Sequence, residues 1–181
     1  FTVSMWVKAQ SGTGYNQMAE GGYEGAHGVN ASPVQNGQIL GNMRPYGASS
    51  QPNSNGFSIG IQKDGTEEFV IHMGGGQENF GLDTYVTSGD TCPHDDDWHF
   101  YAFTFSNTLN TSSGFKLYRD GADTPVDTQN YAAEVTLNSN SSHTFDIGRH
   151  GSGNGQLLRQ AFICDIGIWN KILTTAEQDL I

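Results

Sequence analysis

The sequence predicts an all-β protein, a sandwich of two antiparallel sheets with one short C-terminal helical turn. Short segments of alternating apolar and polar residues recur along the 181 residues, and glycine-rich turn signals separate them. A helical pattern occurs only in the C-terminal segment LTTAEQDLI. With 24 Gly, 10 Phe, 7 Tyr and 3 Trp, the chain has the turn residues and the large side chains that one sandwich core requires. We therefore expect a single domain over residues 1–181.

The first predicted strand, Phe1–Lys8, alternates apolar and polar residues with a period of two. From Ala9 to Gly56 this period is lost, and stretches rich in Gly, Asn and Ser predict loops. A segment of that length rarely lacks all regular structure, so we expect a weak strand at Gln38–Asn42.

A hairpin is predicted in the middle of the chain. Its strands are Phe57–Lys63 and Glu67–Met73, and Asp64-Gly65-Thr66 joins them. Glycine accepts the positive φ that such a tight turn requires. The remaining predicted strands are Thr84–Gly89, Trp98–Ser106, Phe115–Gly121, His143–Arg149 and Ala161–Asn170.

Two local signals refine this order of elements. Asp120-Gly121 predicts a second tight turn. Thr174 and Glu177 have the spacing of a capping box, in which each side chain bonds the backbone N–H of the other residue. The sequence thus predicts a helix that starts after Thr174.

Acidic residues outnumber basic ones. Asp and Glu total 19 against 8 Lys and Arg, which gives a net charge of −11. Clustered basic residues, on which phosphate binding depends, are missing, so the sequence excludes a nucleic-acid partner. An anionic membrane surface would repel the chain, and no segment approaches the roughly 18 apolar residues of a spanning helix. We therefore expect no membrane insertion. The chain also opens inside a strand rather than in a signal peptide, so we expect a fragment or a chain whose first element lies elsewhere.

Five segments carry a more specific signal, and in chain order they are FTVSMWVK, DDDWHFYAFTF, FKLYRDG, FDIGRHGSG and AFICDIGIWNKILTTAEQDLI. Their order and spacing resemble the laminin-G-like, concanavalin-A-like jelly-roll family over essentially the whole chain. The resemblance implies a jelly-roll sandwich in which Phe1–Lys8 lies beside Ala161–Asn170. Members usually carry a strand and a hairpin before the first of these segments, and we expect that N-terminal strand to be absent here.

The resemblance also bears on catalysis. Glucanases that share this sandwich place two carboxylates on one strand face, in a Glu-x-Asp-x-(x)-Glu motif that this sequence lacks. Glu20 and Glu24 flank glycines in a predicted loop, and the neighbours Glu67 and Glu68 would point to opposite faces of a strand. We therefore expect a non-catalytic recognition module that binds glycans. The alternative is a structural, decoration or fibre domain of an extracellular or viral assembly that contacts protein neighbours.

The candidate ligand-binding residues lie in the predicted loops. Sugars present apolar C–H faces that stack on aromatic rings, and their hydroxyl groups bind polar side chains. The alternative is that each ring anchors its loop to the sandwich. The candidates are Tyr15, Tyr23, Tyr46 and Phe80, with Arg44 and Asn79 beside them.

The acidic segment Asp90–Asp97 is the candidate metal site. Calcium prefers six to eight oxygen ligands, which Asp90, Asp95, Asp96 and Asp97 could supply together with backbone carbonyls. The alternative is a solvated turn in which one aspartate accepts bonds from backbone N–H groups ahead of the next strand.

Cysteine and tryptophan complete the candidates. Cys92 and Cys164 are too far apart in sequence for a zinc ribbon or a redox motif, so they form either one disulfide or two buried thiols. A surface rich in Gly, Asn, Ser and Thr favours an extracellular, cell-surface or virion-surface location, where a disulfide is allowed. We expect Trp6, Trp98 and Trp169 to pack in the core or against the sheet.

Overall fold

The computed structural model describes residues 1–10, 19–20, 36–41, 55–62, 68–75, 82–87, 89–106, 114–129, 145–148, 157–158 and 161–181. These residues contain twelve strands and one short helix. In chain order the elements are β1 (Thr2–Ala9), β2 (Ala19–Glu20), β3 (Asn36–Gly41), β4 (Asn55–Gln62), β5 (Phe69–Gly75), β6 (Leu82–Val86), β7 (His99–Phe105), β8 (Phe115–Arg119), β9 (Asp127–Gln129), β10 (Asp146–Ile147), β11 (Leu157–Leu158), β12 (Ala161–Trp169) and α1 (Thr175–Gln178).

Two five-stranded antiparallel sheets dominate the described residues. The first sheet has the order β12-β1-β7-β8-β9, the second has the order β10-β3-β4-β5-β6, and β11 pairs separately with β2. The predicted sandwich is confirmed. The strand β1 lies beside β12, as the resemblance implied.

The core lies between the two sheets. Every second residue of β1 (Val3, Met5, Val7 and Ala9) points into it, which is the period read from the sequence. From the second sheet, Phe69 packs edge-on against Tyr101 and Phe103 of β7, with ring centroids 4.8 and 5.1 Å apart. The alternation within each strand thus fixes which face of each sheet is buried.

The register of β12 is interrupted by a bulge. Ser4 pairs with Gly167 and Trp6 pairs with Cys164, so Asp165 and Ile166 together lie opposite Met5. Asp165 has a φ of 51°, the left-handed conformation found at the first position of one common bulge type. Because the bulge adds one residue to β12, residues before and after it that are an odd number of positions apart lie on the same face of the sheet.

The C-terminal segment is fastened to the first sheet. The buried Thr2 hydroxyl donates to the Lys171 carbonyl at 2.9 Å and accepts the Leu173 N–H at 3.0 Å. The capping box is confirmed, since the Glu177 N–H donates to the Thr174 hydroxyl and the Thr174 N–H donates to the Glu177 carboxylate. The helix α1 therefore starts where the sequence predicted.

The turn at Asp120-Gly121 is also confirmed. Both residues have positive φ, 53° and 71°, and the Ala122 N–H donates to the Arg119 carbonyl at 3.1 Å. Positive φ at both central positions is the turn geometry that matches the twist of paired strands.

Some predicted elements differ in extent. The predicted hairpin is the antiparallel pair β4–β5, whose connecting residues lie outside the described ranges. The weak strand predicted at Gln38–Asn42 is the longer β3, whereas the strand predicted at His143–Arg149 contributes the two residues of β10. The short strands β2, β9 and β11 carry no alternation that the sequence could reveal. Among the described residues, no helix has the length and hydropathy needed to span a bilayer.

Candidate functional site

The six residues predicted to bind ligand lie outside the described residues, so that hypothesis stays a prediction. They are Tyr15, Tyr23, Arg44, Tyr46, Asn79 and Phe80. The described part of the chain offers two other features, which adjoin each other. One is a histidine held between two carboxylates, and the other is a group of aromatic side chains on the outer face of the first sheet.

The segment 90–97 forms a turn against the first sheet. The Asp95 carboxylate accepts the Asp97 N–H at 3.0 Å, which is the aspartate turn weighed as the alternative to calcium. Asp96 has a φ of 67°, and its N–H donates to the Ala9 carbonyl at 3.2 Å. These bonds attach the turn to the end of β1.

His99, the first residue of β7, connects this turn to the β8–β9 turn. Its Nε2 lies 3.0 Å from Asp95 Oδ2, and its Nδ1 lies 2.7 Å from Asp120 Oδ2. The second oxygen of Asp120 accepts the Phe100 N–H at 2.9 Å. The imidazole therefore joins two turns that are 21 and 4 residues away from it in sequence.

For both contacts to be hydrogen bonds, the His99 ring must carry a proton on each nitrogen. A neutral imidazole has one N–H donor, whereas His99 contacts a carboxylate oxygen through each ring nitrogen. Burial by itself would lower the pKa of His99, but the bonds to Asp120 and Asp95 raise that pKa above its ordinary value. Burial would raise the pKa of Asp95, and the bonds from the Asp97 N–H and from His99 lower it instead. The charged forms of both groups stabilise each other.

Arg119 adds a further bond to the same segment. Its Nη1 donates to the Asp90 carbonyl at 2.7 Å, and its Nε lies 3.8 Å from Asp120 Oδ2. The two cationic groups of this cluster, His99 and Arg119, are thus both engaged with the acidic turns.

The four aspartates proposed as calcium ligands do not converge. Asp95 bonds His99 and the Asp97 backbone, and within the described ranges no three His, Cys, Asp or Glu side chains form a group that could hold a metal ion. The turn alternative accounts for the geometry of Asp95. Calcium binding in this segment stays a prediction.

The outer face of the first sheet carries aromatic side chains. Trp6 pairs with Phe100 across β1 and β7, with ring centroids 5.6 Å apart. On the other side of β1, Phe162 is paired with Lys8 and lies diagonally to Trp6, which is within reach of large rings. Trp98 lies one residue before β7, and strand alternation extended by that residue predicts its ring on the side of Phe100. We call Trp98, Phe100, Trp6 and Phe162 the aromatic ridge.

The two ends of the aromatic ridge are open to solvent. Trp98 is 43% exposed and Phe162 is 52% exposed, whereas Phe100 is buried and Trp6 is partly buried. Trp98 lies one residue before β7 and is 43% exposed, so it is not a core residue, and its packing against the sheet stays a prediction. Trp6 packs against the sheet as predicted.

Trp169 also packs on the outer face. Its Nε1 donates to the Ser4 hydroxyl at 3.2 Å, and its ring crosses Gly167. A Cβ on Gly167 would lie 2.9 Å from Trp169 Nε1 and 2.8 Å from Ser4 Oγ, so only glycine fits beneath this ring. Trp169 is a packing residue, as predicted.

The disulfide candidate is not formed. Cys92 is buried in the core, whereas Cys164 is exposed and paired with Trp6, on the outer face of the sheet. Cys92 thus lies on the core side of the first sheet and Cys164 on its outer side, and both thiols are free. The alternative of two buried thiols describes Cys92 only, because Cys164 is exposed.

Sequence reasoning missed the aromatic ridge as a candidate site. The signal was present, because Trp6, Trp98 and Phe100 each fall at positions opposite in phase to the core residues of β1 and β7. The tryptophans were assigned to packing by their place in strand segments, and that assignment does not distinguish the two faces of a sheet. The two faces are distinguished by whether a residue falls at an odd or an even position along the strand.

Comparisons with known proteins agree with this architecture. The model of a laminin-G family, described as the concanavalin A-like lectin/glucanases superfamily, matches residues 1–177. Comparison of the sequence with curated proteins gave no match.

Two solved structures illustrate the likeness. The CBM40 of the Ruminococcus gnavus IT-sialidase, bound to alpha2,6 sialyllactose, is 10% identical with a TM-score of 0.53, over 98% of this chain and 79% of that one. A native heptameric SAP-like pentraxin from Limulus polyphemus is 13% identical with a TM-score of 0.52, over 98% of this chain and 66% of that one. At these identities the likeness concerns the fold.

Proposed function

The chain belongs to the concanavalin A-like lectin/glucanases superfamily, and from that membership we propose that it is a non-catalytic recognition module that binds glycans. The observation that carries the proposal is the aromatic ridge, which leaves Trp98 and Phe162 about half exposed beside the outer face of the first sheet. A large aromatic ring in water leaves apolar surface exposed, and a ligand that stacks on the ring buries that surface. The similar CBM40 structure, bound to a sialylated sugar, supports a binding role on this fold.

The chemistry beside the aromatic ridge suits a sugar. A pyranose ring has an apolar C–H face that covers an aromatic ring and hydroxyl groups that need acceptors at the edge. Asp97 is the exposed sequence neighbour of Trp98, and Asp95 and Asp120, with side chains 43% exposed, lie in the turns at the same end of β7. Carboxylates are acceptors only, so they pair with hydroxyl donors.

The experiment is binding to a panel of immobilised oligosaccharides by the purified chain and by two variants, Trp98→Ala and Phe162→Ala. We expect binding to at least one oligosaccharide by the unmodified chain. The matched control is Ile147→Ala, a residue that is 55% exposed and lies in the second sheet, whereas the strands of the ridge belong to the first. Absence of binding to every sugar on the panel would contradict the proposal.

The non-catalytic part of the proposal rests on the placement of the described carboxylates. Glycoside hydrolysis requires two carboxyl groups on either side of the scissile bond. Asp95 and Asp120 are brought together, but the His99 ring fills the space between them. Release of reducing sugar above a heat-denatured control, abolished by one Asp or Glu substitution, would contradict this part.

A second candidate function is docking to protein neighbours in a larger assembly, outside the cell or on a virion. Exposed apolar side chains near the C-terminus favour it: Ile168, Ile172 and Leu180 are 53%, 49% and 84% exposed. Substitution of these three residues by serine would weaken assembly and leave sugar binding unchanged. The aromatic-ridge variants would do the reverse.

Calcium binding by the segment 90–97 is retained as a separate proposal. An ion held only by the folded chain at one hundred times its dissociation constant would add about 2.7 kcal/mol to the free energy of unfolding. The measurement is thermal melting in excess calcium and in excess chelator, with the double variant Asp95→Ala, Asp97→Ala as control. Equal melting temperatures in the two conditions would contradict the proposal.

A further inference from the structure

We propose that Lys8 sets the specificity of the aromatic ridge and makes it prefer glycans that carry an acidic group, either a carboxylate or a sulfate. This inference rests on the proposed function and adds the ligand class. Two observations carry it, the position of Lys8 beside the rings and the absence of an ion pair to Lys8 within the described residues.

Lys8 lies on the outer face of the first sheet, next to aromatic residues. Val7 points into the core, so its neighbour Lys8 points to the outer face. Phe162 of β12 is the Cα partner of Lys8. Val7 is paired with His99 of β7, and the same register, extended by one residue, predicts Trp98 on the other side of Lys8. Directly opposite residues have Cβ atoms about 4.5–5.5 Å apart, so one ligand can contact Lys8 and a neighbouring ring together.

Lys8 differs from the other cations at this end of the sheet in its electrostatic surroundings. Among the residues that the structure describes, it forms no ion pair and no side-chain hydrogen bond. Arg119 and His99 are engaged with the acidic turns, and Lys171 bonds Glu177. Lys8 is therefore a partly exposed cation that an anionic ligand can neutralise.

The described carboxylates nearby leave this charge in place. The two that bond His99 belong with it to the core side of β7. Asp97 is exposed, and alternation predicts its side chain on the side opposite to Trp98. Asp165 is exposed on β12, three positions after Phe162, roughly 10 Å along the strand. Because the Debye length is about 8 Å at physiological salt, charges at that distance act only weakly on a ligand at Lys8.

An acidic sugar matches this arrangement. Its pyranose ring presents a C–H face that covers an aromatic ring, and its carboxylate or sulfate accepts hydrogen bonds from the lysine ammonium. Rings beside Lys8 keep water from part of the ion pair, so salt screens the pair less than one in open solvent. A neutral sugar makes the stacking contact without the ion pair. Acidic glycans are therefore the ligand class that the ridge favours.

The test compares neutral and acidic forms of the same oligosaccharide. Lactose and N-acetyllactosamine are titrated into the chain by calorimetry, each beside its sulfated and its sialylated form, and cellobiose is titrated beside its glucuronic acid analogue. We expect the acidic form of at least one sugar to bind about fivefold more tightly than its neutral parent, the gain from one partly exposed ion pair. A difference between the sulfated and the carboxylated forms identifies the preferred acidic group.

Variants of Lys8 separate a local charge from the charge of the whole chain. Lys8→Gln removes the charge, so the acidic and neutral forms should bind alike, and Lys8→Arg should keep the preference. The matched control is Lys116→Gln. Lys116 also lies on the outer face of the first sheet, but its partners on the adjacent strands are Thr104 and Thr128. This variant changes the net charge by the same amount and should keep the preference.

The outcomes distinguish the inference from the proposed function. Equal binding of both forms, or tighter binding of the neutral parents, would overturn the inference and leave the proposed function standing. A preference that persists in Lys8→Gln, or that is lost equally in Lys116→Gln, would also overturn it, because the charge of Lys8 would not be its source. Binding of none of these sugars would refute the inference, and binding of no sugar on the wider panel would refute the proposed function as well.

Discussion

The two faces of the first sheet carry similar side chains in different surroundings. On the inner face, Phe103 has no exposed surface and packs against Phe69 of the second sheet. On the outer face, Phe162 is half exposed and lies diagonally to Trp6, and the strands that the structure describes include no sheet packed on it. Because a sandwich needs an apolar face only toward its core, large rings on the opposite face are not required by the fold. The difference directs the search for function to the outer face.

From this comparison we expect the largest loss of stability for a substitution on the inner face. Phe103→Ala should lower the free energy of unfolding by about 3–5 kcal/mol, because it leaves a cavity between the sheets. Urea denaturation followed by tryptophan fluorescence measures this loss. The variant Phe103→Leu serves as control and should lose much less. A loss below about 1 kcal/mol for Phe103→Ala would mean that the inner face is not closely packed.

The C-terminal segment covers one end of the outer face of the first sheet, and a substitution of Thr2 tests this contact. Thr2 lies on the outer side of β1 yet is fully buried beneath the C-terminal segment. Thr2→Val should cost about 1–3 kcal/mol, because the Leu173 N–H and the Lys171 carbonyl lose their partner. Chemical denaturation measures the cost, and Thr2→Ser should restore most of it. An unchanged stability for Thr2→Val would show that water replaces the hydroxyl.

The histidine–carboxylate cluster predicts a pH dependence at the edge between the faces. The raised pKa of His99 means that its contribution to stability is complete below the ordinary value of 6.5 and is lost as the pH rises through the higher folded pKa. The lowered pKa of Asp95 means that its contribution is present above the ordinary value of 3.8 and is lost as the pH falls through the lower folded pKa. Stability from this cluster is therefore greatest between these two values.

Solvent screens this cluster, so the change on either side should be no more than ~1 kcal/mol. Melting curves from about pH 2 to about pH 9 measure it, a span set to extend roughly two units beyond the ordinary aspartate and histidine values. His99→Gln should flatten the decline above pH 6.5, the ordinary histidine value. A wild-type decline that persists in His99→Gln would assign the titration to another group.

The smallest change in stability is expected at the exposed end of the aromatic ridge. Phe162→Ala removes a ring that is 52% exposed, and the free energy of unfolding should change by only about 0.5 kcal/mol. Sugar binding should fall in the same variant. Differential scanning calorimetry and the oligosaccharide panel report the two quantities separately. A large loss of stability would show that the ridge is a packing feature like Trp169.

The sequence alone was sufficient for most of the fold. Alternation in β1, β7 and β12, the Asp120-Gly121 turn and the Thr174–Glu177 capping box are local patterns, and each has its predicted conformation. The two-residue strands β2 and β11 were missed because their pairing with each other across the chain, rather than their own residues, makes them strands.

The candidate site was harder to predict. Asp95, His99 and Asp120 are separated in sequence, and only the pairing of β7 with β8 brings Asp120 to His99. The cysteines illustrate the same limit, since their spacing left a disulfide possible, whereas they lie on opposite sides of the first sheet as free thiols. Sequence patterns identify faces and turns, whereas contacts between turns depend on the assembled sheets.

The pairing of β1 with β12 has a consequence for how the chain is made. Thr2 and the Lys171 carbonyl that it bonds are 169 residues apart, so during synthesis β1 emerges long before the strand that completes its sheet. Until β12 arrives, one edge of β1 presents unpaired backbone groups together with apolar side chains, the kind of edge that pairs with other chains. Contacts between such distant segments also slow folding. A nascent chain arrested before β12 should therefore bind chaperones or aggregate. Once β12 has been synthesised and pairs with β1, this tendency should end.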